Sequence, residues 1–131
     1  MNDWRLYHDG TKQDREGLAW HEVLRAIAEL NGSTHTLIHA AYGEHVDLVV
    51  AGGNDGLVLV QWKEYDPTEQ HYILSTNQQT GLMKHLTIEG EDAAYPNEWC
   101  VPLEQAVPVC GDLLQTCERP QVNELNWLRI E

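Results

Sequence analysis

The chain has 131 residues, a length that suits one domain with a single hydrophobic core over 1–131. Its 21 Asp+Glu against 8 Lys+Arg give a formal net charge of −13. That charge argues against direct contact with nucleic acid or with an anionic membrane surface, since both need Lys and Arg to meet phosphate, and it favours solubility and fast electrostatic capture of a basic protein.

The start, MNDWRLYHDG, has no basic stretch followed by an apolar one, so no signal peptide is expected. No apolar run approaches the ~20 residues of a membrane span, and with three cysteines that read as reduced thiols a cytoplasmic location is expected. Glu16–Leu30 carries Trp20, Val23, Leu24, Ile27 and Leu30 at helical spacing, with Asp14 as N-cap and Asn31-Gly32 as the stop. Thr34–Ala41 alternates as a strand. His45–Ala51 and Leu57–Tyr65 are β-rich runs joined by Gly52-Gly53-Asn54-Asp55-Gly56, whose residues accept positive φ and so read as a hairpin loop. Asp66-Pro67 makes a turn, and His71–Leu74 completes a meander. Because LVVA and LVLV are nearly continuous apolar runs, Leu48, Val50, Leu59 and Val60 are expected among the most buried residues.

Ser75–Lys84 is polar and reads as a loop, and His85–Glu89 as a short strand that leads into an acidic turn before a second helix. That helix, Pro102–Cys117, starts on a proline and has Leu103, Ala106, Val107, Cys110, Leu113 and Leu114 on one face. Pro108 and Gly111 predict a kink, or a start near Pro108. Pro120 ends it, and Leu125–Ile130 is a last strand. The expectation is an α+β single domain, a mostly antiparallel sheet of hairpin and meander type packed with two helices.

No catalytic constellation stands out. His35 and His39, on one face of a strand, would lie roughly 13 Å apart, too far to share an ion, and scattered, locally bonded histidines are the better account. A zinc deaminase needs His-x-Glu and Pro-Cys-x-x-Cys, whereas His21-Glu22 are adjacent here and no Cys-x-x-Cys occurs. AGGNDG lacks the Lys-Ser/Thr of a phosphate loop, and there is no Gly-x-Ser-x-Gly elbow. Glu91-Asp92 read as a solvated acidic turn. Cys100, Cys110 and Cys117 form an odd, irregular set that reads as buried, reduced thiols. No catalytic, cofactor or metal residue is expected.

In order along the chain come AGGNDGLVLV, then EDAAYP, then Val101-Pro102-Leu103-Glu104-Gln105-Ala106, an apolar helix, Glu118-Arg119-Pro120 and a final strand with Trp127. This series, from about Val46 to the end, resembles the first-numbered immunity-protein family (Imm-one) of bacterial polymorphic toxin systems. It departs from the family pattern where Leu114 and Cys117-Glu118 stand in place of a late helical aromatic and a Gly before Arg-Pro. The resemblance implies an antitoxin that binds a cognate toxin domain, often a nucleic-acid deaminase or a nuclease, and blocks it stoichiometrically without catalysis. Such toxins act on polyanions, so the expected partner is a basic protein, with no direct nucleic-acid or membrane contact. The expected contact residues are Glu89, Glu91, Asp92 and Tyr95, with Asp66 and Glu69 as a second set and Tyr95, Trp99 or Trp62 as anchors where exposed. Two other roles fit the composition: an acidic adaptor or structural subunit of a larger assembly, and a small enzyme or ligand-binding domain.

Overall fold

A computed structural model describes residues 3–11, 13–76, 80–121 and 125–130. Its elements run β1 (Trp4–His8), β2 (Gln13–Leu18), α1 (Trp20–Ala28), β3 (Leu37–Tyr42), β4 (Val46–Gly52), β5 (Leu57–Glu64), β6 (Gln70–Thr76), β7 (Met83–Ile88), β8 (Glu91–Pro96), β9 (Val101–Pro102), α2 (Leu103–Thr116) and β10 (Leu125–Ile130). The main sheet has the order β10-β6-β5-β4-β3-β1-β2, with β9 also on β5, and β7-β8 form a separate hairpin. The pairings are antiparallel, and the fold is α+β. No helix among the described residues is long and apolar enough to cross a membrane.

The apolar runs of β4 and β5 follow from cover on both faces of the sheet. Alternate side chains of a strand point to opposite faces. Val58, Val60 and Trp62 of β5 join Leu48 and Val50 of β4 in the main core, against Val23 and Ile27 of α1 and Ala106, Cys110 and Leu113 of α2. Leu59 points the other way, into a smaller core with Ile73, Leu86 and Cys100, which the β7-β8 hairpin roofs. The pairs Val50↔Val60 and Leu48↔Trp62 hold the register. Leu48, Val50, Leu59 and Val60 are all buried, as their runs predict.

The first helix is shorter than its apolar spacing predicts. It begins at Trp20, not Glu16, and Asp14 is no N-cap: it lies on β2 opposite Tyr7. The cause is local. Gly17 has φ +71, outside the helical range, and Glu16–Leu18 continue β2 along β1. Glu22 takes the capping role, its Oε2 accepting the Ala19 N–H at 2.8 Å. The strand expected over Thr34–Ala41 is displaced to Leu37–Tyr42, because Asn31 Oδ1 accepts the N–H groups of Ser33, Thr34 and His35 and folds them into a turn.

The second helix runs from Leu103 to Thr116, passing through Pro108 and not starting near it. Pro108 is exposed, so water can serve the Glu104 carbonyl that lacks an amide donor. Gly111 is buried, and a Cβ there would lie 3.5 Å from Leu24 Cδ2, so its small size suits the α1–α2 contact. Cys117 closes the helix in the left-handed region (φ 57), its N–H donating to the Leu113 carbonyl at 2.8 Å.

Part of the expected Ser75–Lys84 loop belongs to β6 and β7, while Asn77, Gln78 and Gln79 lie outside the described residues. The acidic stretch EDAAYP is not a turn but strand β8, paired Ile88↔Glu91 through Met83↔Pro96 with β7. The turn itself is only Glu89-Gly90, with φ 51 and 82, a two-residue reversal of type I′.

Candidate functional site

The β7-β8 tip is clamped to the end of the main sheet by side chains. Asn54, in the β4-β5 turn, accepts the Thr87 N–H on Oδ1 at 2.8 Å and donates from Nδ2 to Thr87 Oγ1 at 3.0 Å. Thr87 Oγ1 in turn donates to Asp92. On the other side, the Glu89 N–H donates to Thr36 Oγ1 at 2.8 Å, and the Thr36 hydroxyl donates to Asp9. Asp9 Oδ1 also accepts the N–H groups of Thr36 (2.8 Å) and Leu37 (3.1 Å). Desolvation opposes ionisation of Asp9, but the bonds from Thr36 and Leu37, with His8 nearby, hold its carboxyl below the ordinary carboxylate range. The chain Asp9–Thr36–Glu89 thus fastens three segments distant in sequence.

This clamp presents Asp55, Glu89, Glu91 and Asp92, all exposed, at one end of the molecule. Among the described residues none of the four makes an ion pair. Asp55 (φ 56) and Glu89 (φ 51) both sit in the left-handed region, where an L side chain costs about 1 kcal/mol or more.

The second expected set lies elsewhere. Asp66 pairs with His45 Nδ1 at 3.0 Å and Glu69 with Lys63 Nζ at 2.8 Å, both beyond the far end of β5. The hydrogen bond and charge of Lys63 hold the Glu69 carboxyl below its ordinary value. Eight residues of β5 span roughly 23 Å, so the two sets lie at opposite ends of that strand. Tyr95 does not stand free beside Glu91. It is half-buried against the smaller core, as is Trp99. Trp62, fully buried, is no surface anchor, and its indole N–H donates to Glu64 at 2.9 Å.

Sequence reading passed over Leu82 and Met83, the exposed large apolar residues among those described, 65% and 53% accessible, at the opposite end of the same hairpin. The signal was present as an apolar pair after Thr80-Gly81 in a polar stretch. The cysteines are free, and burial pushes the Cys110 thiol up to about 12. The structure keeps His35 off β3, and His39 is exposed on that strand, so these two do not converge. His35 instead meets His8 and Glu29, and one ligand atom from each lies within 4.8 Å of the others. Burial first, then the neighbouring His35, lowers the pKa of His8.

No model of a known protein family matches the chain, and a search of the curated proteins finds no significant match.

Proposed function

We propose that this protein is an immunity protein: a stoichiometric, non-catalytic inhibitor that covers the basic active face of a cognate toxin with its acidic hairpin tip. The observation that carries the reading is the state of that tip. Glu89, Glu91 and Asp92 are held on a clamped turn, yet no cation of the chain neutralises them among the described residues. Rigid, unpaired carboxylates stand in for phosphates with little ordering cost on binding. Glu89 holds a left-handed turn position that Asn or Gly would fill more favourably, and strain of this sort accumulates at functional sites. Leu82 and Met83 supply an apolar contact on the same hairpin.

The toxin class favoured by the resemblance, a deaminase or nuclease acting on nucleic acid, would present the complementary basic groove. The test is to identify a toxin domain among the products of the neighbouring genes and to co-express it with this protein. Survival of the cells together with a 1:1 complex of the purified proteins is expected. Cell death despite soluble inhibitor would overturn the reading, and a stable complex that leaves the toxin active would point instead to an adaptor role.

A further inference from the structure

Three elements meet where β1 ends. His8 closes β1, Glu29 caps the C-terminus of α1, and His35 precedes β3. We infer that His8, Glu29 and His35 form a binding site for one divalent transition-metal ion of the zinc type.

Four observations on geometry support it. His8 is only 7% exposed, and its Nε2 is buried with no hydrogen-bond partner among the described residues, which is costly unless something occupies it. His35 Nε2 lies 3.8 Å from Glu29 Oε2, close to the roughly 3.4 Å edge that ligand bonds of ~2.0–2.1 Å give in a tetrahedron. The two imidazoles are already together, with ring centroids 4.7 Å apart. Beside them Gly10 leaves the room: a Cβ there would fall 2.8 Å from His8 Cε1 and 3.0 Å from His35 Nε2.

The surroundings suit ligation too. His35 Nδ1 lies 2.8 Å from Thr34 Oγ1, which also accepts Asn31 Nδ2 at 3.1 Å. With Nδ1 protonated and donating to Thr34, Nε2 is left as the free lone pair, the arrangement that orients a metal-bound imidazole. The site opens on a cavity of about 220 Å³, bordered by Thr11, Gln13 and Glu22, which leaves the fourth coordination position to water. Two histidines and one carboxylate match the preferences of Zn²⁺ and Co²⁺ and not those of Mg²⁺ or Ca²⁺, which take oxygen.

The inference is independent of the inhibitor role, because it is read out on the protein alone. Protein freed of metal by chelator is titrated with Zn²⁺ and, for its visible spectrum, Co²⁺. Binding of one ion per chain is expected, with tetrahedral cobalt absorption and a rise in Tm with metal concentration. His8→Gln and His35→Gln should each weaken binding by more than about tenfold. Glu29→Gln, at an exposed position, should also weaken it and alter the cobalt spectrum. His39→Gln and His45→Gln should bind as the parent does. No stoichiometric binding, or binding lost only with His39 or His45, would overturn the assignment. If His8→Gln fails to fold, the His35 and Glu29 variants decide.

Discussion

Replacing Thr36 with Val removes one hydroxyl from the clamp and keeps the side-chain shape. Thr36 is 1% exposed, so no water replaces the lost group readily. Two bonds go: the donation to the Asp9 carboxylate and the acceptance of the Glu89 N–H. A bond to a charged group contributes roughly 1.5–3 kcal/mol and a neutral one about 1 kcal/mol. The added methyl returns about 0.8 kcal/mol. We predict a net loss of about 2–3 kcal/mol, or roughly 9 °C in Tm for a chain of this size. Urea unfolding should show a lower midpoint with an unchanged slope, and hydrogen exchange should show faster opening at the Glu89 amide. Thr36→Ser, which keeps the hydroxyl, should cost about 1 kcal/mol and preserve the Glu89 protection. Acid sensitivity should change as well. The folded Asp9 carboxyl lies below its ordinary 3.8, so its contribution is present above that value and is lost as pH falls through the lower folded value. In Thr36→Val that acid loss should shrink. A Thr36→Val protein within 0.5 kcal/mol of the parent, with Glu89 exchange unchanged, would refute the clamp.

Glu89→Asn creates Asn-Gly, the favoured pair for a type I′ turn, and should raise stability by about 0.5–1 kcal/mol while lowering toxin affinity. Thermal unfolding beside a binding titration checks both halves, and unchanged affinity would remove Glu89 from the contact. Tyr65 donates to Asp47, and that hydrogen bond, with burial, raises its phenol to about 12. Its stabilising contribution is full below the ordinary 10 and is lost as pH rises through about 12. Ultraviolet titration should therefore find a late-ionising tyrosine that Tyr65→Phe abolishes.

Several elements that bury an apolar face were legible in the sequence, although β1, which buries Trp4 and Leu6, was not read as a strand. The β4-β5 hairpin stands where glycines separate two apolar runs, and Leu125–Ile130 forms the strand its composition predicts. Polar elements were hidden. β2, QDREGL, buries only Leu18 and forms because β1 offers it a partner edge, not because of its own pattern. The β7-β8 turn carries Glu where Asn would have announced it. The α1 boundary was overrun because Glu16–Leu18 fit a helix by spacing until Gly17 took a positive φ. The clamp and the histidine site are tertiary. Thr36 meets Asp9 across 27 residues and Glu89 across 53, and His8 acquires its neighbours only when β1, α1 and the approach to β3 converge. The acidic residues singled out in the sequence are surface groups, but only the fold separates the hairpin set from Glu69, ion-paired with Lys63, and Asp66, hydrogen-bonded to His45.

The most direct measurement is the rate at which the toxin domain associates with the parent protein and with the Glu91→Lys/Asp92→Lys variant, at low and high salt. The account predicts association slower by about tenfold or more at low salt, a flatter salt dependence and a modest change in dissociation. An Asp66→Lys/Glu69→Lys variant, altered at the far end of β5, should keep the larger part of the parent's rate. Equal association rates for parent and hairpin variant at each salt concentration, with cells protected by both, would contradict it.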